Sequence, residues 1–119
     1  MFSITSARYF LFNQATDMRK SFDGLSSLVQ SQMKQNPLSG DVYVFLNRSR
    51  NRIKLLRWET DGFVLFYKRL EQGTFPIPKG EDLSGFDYTK LVLMINGIYV
   101  EKARKSKRFY PQNNVANSL

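Results

Sequence analysis

A row of basic side chains is the feature of this sequence best suited to bind an anion. Its members are Arg48, Arg50, Arg52 and Lys54. No acidic residue lies between Asp41 and Glu59. Residues at every second position of an extended chain point to one side, where their charges can neutralise successive phosphates of a nucleic acid. The alternative is a solvated loop that only keeps a sheet edge soluble. We expect phosphate contact.

The charge of the whole chain favours a polyanionic partner. The chain has 18 basic and 10 acidic residues, for a net charge of +8. An excess of this size attracts DNA, RNA or anionic membrane. A second basic cluster near the C-terminus consists of Lys102, Arg104, Lys105, Lys107 and Arg108. We expect residues 101–119 to form a flexible basic tail that adds to phosphate binding.

Two further cations, Arg19 and Lys20, follow Asp17 in the stretch "DMRK". The sequence predicts that they lie in the first turn of a helix. Cations there are disfavoured by the helix dipole, and a helix start with nearby cations suits a bound anion. A salt bridge from Arg19 to Asp23 explains the same residues without a ligand. Both interpretations stay open.

The aromatic residues Trp58, Phe66 and Tyr67 form a candidate face for a partner. A hairpin through these residues has apolar side chains on both faces, and one face must cover a helix. The other is either a second buried layer or an exposed patch for a protein. Base stacking on Trp58 or Tyr67 is a further alternative. We expect these rings to be buried, because a small domain needs their area.

The composition excludes several kinds of catalyst. The chain has neither cysteine nor histidine, so it cannot build thiolate sites or a Ser-His-Asp triad. Its carboxylates follow no D-x-D pattern, and Asp17, Asp61 and Asp87 have structural roles at predicted caps and turns. We therefore expect no catalytic residue, metal, cofactor or small-molecule substrate. A metal-dependent nuclease is the third-ranked hypothesis.

Apolar periodicity predicts the first elements. Residues 8–13 are aromatic-rich and indicate a short strand. A helix follows, with Thr16 or Asp17 at its N-cap, and it ends before Pro37. Its apolar stripe, at spacings of 4, 3, 4 and 4, consists of Met18, Phe22, Leu25, Val29 and Met33. We expect Gly24 within it to allow another backbone to approach.

Residues 41–70 predict a three-stranded antiparallel meander, with a loop near 47–51 and a turn at Asp61 and Gly62. A two-residue turn pairs Trp58 with Leu65. A three-residue turn with a bulge at Gly62 pairs Trp58 with Val64. A one-residue difference exchanges the two faces of the second strand, so the register stays open.

Residues 88–96 fit either a helix or a strand, and we expect a helix capped by Asp87 and ended near Gly97. Its predicted buried face consists of Leu91, Met94, Ile95 and Ile98. The predicted fold is α+β: a small antiparallel sheet, made of the meander plus an N-terminal strand, with one or two helices packed on one face. Residues 1–100 are expected to form a single domain.

Three stretches of the sequence match a known pattern in order and spacing. They are "DMRKSFDGL" (17–25), "PLSGDVYVF" (37–45) and "LLRWETDGFVLFYKRLEQGTFPIP" (55–78). Together they resemble the small second-frame protein of bacterial insertion sequences of the sixty-six family, which is called TnpB in that context. The much longer RNA-guided nuclease of the same name is a different protein. The resemblance runs from about residue 8 to residue 100.

The resemblance implies a role in transposition, beside a larger protein that carries the transposase catalytic domain. It leaves the molecular activity open. From the residues we expect a non-catalytic accessory protein that binds DNA mainly through phosphates. The alternative is an adaptor that assembles or regulates the transposase of the same element without touching DNA. No signal peptide or membrane helix is evident in the sequence, so we expect a cytoplasmic protein with no membrane partner.

Overall fold

Residues 42–69, which are rich in β-branched and aromatic side chains, form an antiparallel meander in the computed structural model of the protein, as the sequence predicts. The structure describes residues 7–77 and 86–97. The strands of the meander are β2 (Val42–Leu46), β3 (Arg52–Glu59) and β4 (Gly62–Arg69). Each pairs antiparallel with the next. The prediction of an α+β fold is confirmed.

A fourth strand, β1 (Tyr9–Leu11), completes the sheet in the order β1-β2-β3-β4. It runs parallel to β2, with Phe10 opposite Tyr43. The expectation of a wholly antiparallel sheet is therefore wrong at this strand. The helix between β1 and β2 carries the chain back to the end of the sheet where β1 begins, and a crossover of this kind produces parallel pairing.

The two helices pack on opposite faces of the sheet, where the sequence predicted a shared face. The residues of β2 are buried on both sides, so the sheet offers two apolar faces. The core cluster under α2 (Tyr88–Ile95) includes Val42, Val44, Leu91 and Met94. The core cluster under α1 (Phe22–Ser31) includes Tyr43, Phe45, Leu25 and Val29. A single layer of helices would leave one of these faces uncovered.

Helix α1 begins at Phe22, later than the predicted start at Asp17. Its N-cap residue, Ser21, makes no side-chain capping bond. Asp17 closes a separate turn instead: its Oδ1 accepts from the amide of Arg19 at 2.9 Å, and its carbonyl accepts from the amide of Lys20 at 3.1 Å. A short aspartate side chain competes in this way for nearby backbone donors and keeps the chain out of the helix.

The β3–β4 hairpin has a register that neither sequence alternative contains. Trp58 lies opposite Phe63, and Glu59 lies opposite Gly62. The loop is therefore Thr60 and Asp61, and Gly62 is the first residue of β4. Thr60 adopts a left-handed conformation with φ of 55°, which the sequence did not indicate because this conformation is unfavourable for a β-branched residue.

Residues 88–95 form a helix, which settles the ambiguity of that segment. The Asp87 side chain accepts a hydrogen bond of 2.9 Å from the amide of Lys90, as an N-cap should. Leu91 and Met94 are buried, as predicted. Gly97 follows the helix with φ of 78°, the conformation that favours glycine after a C-cap. Ile98 lies outside the described residues.

Candidate nucleic-acid interface

Charged side chains separate along the length of the sheet. We call the end that carries the β2–β3 loop the basic end, and it holds Arg48, Arg50, Arg52 and Arg69. The opposite end holds Asp41, Glu59 and Asp61. The eight residues of β3 connect the two ends, which places them ~23 Å apart at the usual rise of a strand. The topology therefore keeps these four arginines away from Asp41, Glu59 and Asp61.

Two carboxylates of the acidic end, Asp41 and Glu59, are paired with cations. A guanidinium nitrogen of Arg8 lies 2.9 Å from Asp41 Oδ2, and the Ser39 hydroxyl donates to the same oxygen at 3.1 Å. Burial alone would raise the pKa of Asp41, but the hydrogen bonds from Arg8 and Ser39 outweigh it, so the pKa is lowered. Arg57 lies 3.9 Å from Glu59. These cations are engaged with carboxylates and with the backbone.

The basic end is not neutralised in the same way. Among the described residues, Arg48, Arg50 and Arg52 make no ion pair with a carboxylate. Arg69 lies 2.8 Å from Glu71, but both side chains are more than half exposed, and such pairs contribute little stability. Arg52 and Arg69 lie directly opposite each other, where like charges repel. A bound anion would relieve this repulsion.

The β2–β3 loop, residues 47–51, holds Arg48 and Arg50 in a defined conformation. Asn47 Oδ1 accepts from the amides of Asn51 and Arg52, each at 3.0 Å. Arg50 is left-handed with φ of 56°, and its carbonyl accepts from the amide of Phe75 at 2.7 Å. The two arginines therefore project from a turn, and the argument from alternate positions along a strand does not apply to them.

A groove of about 580 Å³ lies between this loop and the segment that follows β1. Arg48 and Arg50 line one side of it, and Asn13 and Gln14 line the other. Ile77, which is exposed, contributes an apolar wall. Guanidinium and amide groups beside an apolar wall can bind the phosphates and sugars of a nucleic acid backbone. This groove could not be predicted from local patterns, because its two sides are far apart along the chain.

Lys54 does not join this surface. It is only 5% exposed, and its ammonium group donates to the carbonyls of Met18 at 2.8 Å and Lys20 at 2.7 Å. The same Nζ lies 4.6 Å from the centroid of the Tyr67 ring. Because α1 begins late, the carbonyls of the preceding turn need a donor, and Lys54 supplies it. We therefore leave Lys54 out of the proposed phosphate contacts.

Arg19 and Lys20 precede α1, and the structure does not place them in its first turn. Arg19 pairs with Asp17 at 2.7 Å in place of the predicted partner Asp23. The hydrogen bond from the Arg19 side chain lowers the pKa of Asp17 to about 2. The side chain of Lys20 is exposed at its tip, and its stem lies against Gly24, where an added Cβ would come within 3.1 Å. Gly24 thus accommodates a side chain and not a backbone.

The three aromatic residues proposed as one partner face are divided between the two sides of the sheet. Phe66 packs against the core cluster under α2. Trp58 and Tyr67 lie on the α1 side, because each is opposite a residue of that face in the register. Trp58 is half-buried, with its ring centroid 5.1 Å from that of Phe63. Tyr67 is 46% exposed, contrary to the expectation that these rings are buried.

Arg69 is the residue of the basic end that sequence reasoning missed. The stretch "KRLE" contains it, but only the hairpin register shows that it faces Arg52. The predicted tail contacts at 102–108 lie outside the described residues. Within the described part of the chain, no group of three His, Cys, Asp or Glu side chains could hold a metal ion. No helix there is long and apolar enough to cross a membrane.

Comparison with known proteins gives relatives without established activities. Residues 7–105 match the family model described as "IS66 Orf2 like protein". Two curated relatives come from Sinorhizobium fredii (strain NBRC 101917 / NGR234). Uncharacterized protein y4hO is 38% identical over 76 residues, which are 64% of this chain and 66% of the relative. Uncharacterized protein y4jC is 33% identical over 75 residues, which are 63% of this chain and 64% of the relative.

The alignment thus spans just under two thirds of the length of these curated relatives. No solved structure matches the chain. The family match covers most of the chain and includes every element of the described structure. The protein therefore belongs to the IS66 Orf2-like family of insertion-sequence accessory proteins.

Proposed function

We propose that this protein is a non-catalytic accessory factor of transposition that binds DNA mainly through phosphates at its basic end. The observation that carries the proposal is the pair of Arg48 and Arg50 in the fixed β2–β3 loop. Both are exposed, and neither has a carboxylate partner among the described residues. The remaining proposed contacts are Arg52, Arg69, Lys20, Arg19 and the tail cations of 102–108.

The separation of charge supports the same conclusion. Cations at the acidic end are paired with acids, whereas those of the loop are not. A protein with +8 net charge that leaves several arginines together at one end creates a local positive potential. Polyanions are drawn to such a potential and bind through release of their counterions. The groove beside the loop adds hydrogen-bond donors for the same backbone.

A salt titration tests the proposal. The full-length protein is mixed with a fluorescein-labelled DNA duplex, and the dissociation constant is measured by anisotropy between 50 and 300 mM salt. Five to seven phosphate contacts should give a slope of the logarithm of the association constant against the logarithm of the salt concentration of roughly −4 to −6. Loss of two contacts in Arg48→Glu/Arg50→Glu should make the slope shallower by about 2 and weaken binding.

A matched variant separates the site from net charge. Lys34→Glu/Lys90→Glu changes the total charge by the same amount, and neither residue belongs to the β2–β3 loop or lines the groove beside it. Binding should fall much less in this control than in Arg48→Glu/Arg50→Glu. Equal losses in the two variants would mean that only overall charge matters, and a flat response to salt would remove the DNA proposal.

The second candidate is an adaptor that assembles or regulates the transposase. It is favoured by β4, an eight-residue edge strand whose outer side has no strand partner among the described residues. Such an edge can pair with a strand of another protein. Transposition that persists in Arg48→Glu/Arg50→Glu, together with no DNA binding by the native protein, would favour this candidate. A nuclease, the third hypothesis, would require magnesium-dependent cleavage that one carboxylate substitution abolishes.

A further inference from the structure

The exposed ring of Tyr67 is fixed in place by cations. Its surroundings indicate a second kind of binding contact, in addition to the arginines proposed to bind phosphates. The ring stands on the outermost strand, β4, on the side that faces α1. It is 46% exposed, although its neighbour Leu65 packs against the α1 core cluster. A large aromatic side chain in that position could have been covered by α1, but the helix does not reach it.

Two contacts hold the Tyr67 side chain. The Lys54 ammonium lies 4.6 Å from its ring centroid, and Lys54 is itself anchored by two backbone carbonyls. The Tyr67 hydroxyl accepts a hydrogen bond of 2.9 Å from Arg52. The ring is therefore oriented before any ligand arrives, so little side-chain entropy is lost when a partner stacks on it.

Cations surround this ring on the same face of the sheet. Arg52 and Arg69 form a cross-strand pair beside it, and Lys20 lies next to the carbonyl-bound Lys54. A preorganised aromatic ring within a positively charged surface is the arrangement by which proteins bind unpaired nucleobases. In a duplex, the faces of the bases are covered by their neighbours in the stack. Away from the ends of a duplex, an exposed ring can therefore stack only on a base that is free of the duplex.

We propose that Tyr67 is a stacking platform for an unpaired base, so that the basic end binds single-stranded DNA in preference to duplex DNA. This inference rests on the proposed DNA-binding function. Phosphates on either side of the stacked base would contact Arg52, Arg69 and Lys20. Tyr67 supplies the base contact that the phosphate-binding arginines lack. Stacking of this kind tolerates every base, so no sequence preference is expected from it.

The test compares a labelled 20-nucleotide oligothymidylate with a duplex of 20 base pairs, using the full-length protein at one salt concentration. The native protein should bind the single strand more tightly. Tyr67→Leu should weaken single-strand binding by about 5- to 150-fold, which is the usual range for loss of one stacked base. Its affinity for the duplex should change less than about 2-fold, because the phosphate contacts remain.

Tyr67→Phe is the matched control, since it keeps the ring and removes only the hydroxyl. It should retain single-strand binding within about 3-fold of the native protein, because stacking depends on the aromatic face. The stacking proposal would be overturned if the duplex binds with the expected salt dependence and Tyr67→Leu changes the affinity for both DNAs equally or for neither. The proposed function would then remain intact. Failure of both DNAs to bind would overturn both.

A second measurement does not depend on a substituted protein. The native chain is irradiated with an oligothymidylate that carries 5-iodouracil, and the adduct is located by mass spectrometry of peptides. The proposal predicts an adduct on Tyr67, because a photoactivated base joins the ring against which it is stacked. An adduct on another aromatic residue alone, such as Phe22 or Trp58, would contradict it.

Discussion

Replacement of Lys54 by methionine should destabilise the protein, although lysine is seldom a residue on which a core depends. Lys54→Met keeps the length of the side chain and removes the ammonium group. The carbonyls of Met18 and Lys20 then lose their donor. A hydrogen bond to a charged group contributes about 1.5–3 kcal/mol, so the gross loss is about 3–6 kcal/mol. The variant no longer buries a charged ammonium group, whose desolvation is unfavourable, and this offsets part of the lost hydrogen-bond energy.

We expect a net loss of about 2 kcal/mol in the free energy of unfolding. For a chain of 119 residues, this corresponds to a melting temperature roughly 6–12 °C lower. The loss should be local as well as global, because the turn before α1 depends on Lys54. Hydrogen exchange should therefore be faster at the amides of residues 17–22 in the variant, while the amides of β2 are less affected.

Arg52→Met is the control for Lys54→Met, since it removes a cation from the same strand and the same face. Arg52 is only partly buried and donates to the Tyr67 hydroxyl in an exposed setting. Its loss should change the melting temperature by less than about 3 °C. A Lys54→Met protein that melts within 2 °C of the native one would refute the structural role. If it also lost affinity for duplex DNA, Lys54 would return to the phosphate contacts.

Three other substitutions test separate parts of the fold. Thr60→Gly should raise the free energy of unfolding in urea by about 0.5–1 kcal/mol, because glycine adopts the φ of 55° without strain. Asp87→Ala should lower it by about 1 kcal/mol through loss of the cap to Lys90. The lowered pKa of Asp41 means that its contacts stabilise the fold above about pH 4, where the unfolded carboxyl ionises, and that this stability is lost as the pH falls through the folded pKa. The advantage of the native protein over Asp41→Asn should therefore shrink between pH 5 and pH 3, and an advantage that grows in acid would contradict the assignment.

Local patterns in the sequence were enough to predict the strands of the meander and helix α2. Runs of β-branched and aromatic residues indicate strands without reference to the rest of the chain, and Asp87 and Gly97 mark the two ends of α2. The register of the hairpin was not predictable in the same way. The turn signal "TDG" places a glycine where a left-handed residue is expected, but the structure gives that conformation to Thr60. Pairing across the whole hairpin outweighs the preference of one turn residue.

The candidate site depends more strongly on tertiary structure. Arg48 and Arg50 are exposed, as the sequence predicted. Lys54 belongs to the same row of alternate positions, four residues after Arg50, but it is buried. Its burial follows from the late start of α1, which in turn follows from the side-chain bond of Asp17. Arg69 enters the site because it lies opposite Arg52. Neither fact can be read from spacing along the chain, since both depend on contacts between distant residues.

The motifs that identify the family contribute both to the fold and to the basic end. In "DMRK", the carbonyls of Met18 and Lys20 bind Lys54, and in "PLSGD" the Asp41 carboxylate binds Arg8. These contacts stabilise the fold, while the side chains of Arg19 and Lys20 in the first motif remain proposed phosphate contacts. The β2–β3 loop lies between the second and third motifs, and its conformation depends on Asn47. A relative that keeps the three motifs and replaces the loop arginines by neutral residues should therefore fold in the same way. Its affinity for DNA should fall with each charge removed, which makes this loop the place where members of the family can differ in DNA binding without a change of structure.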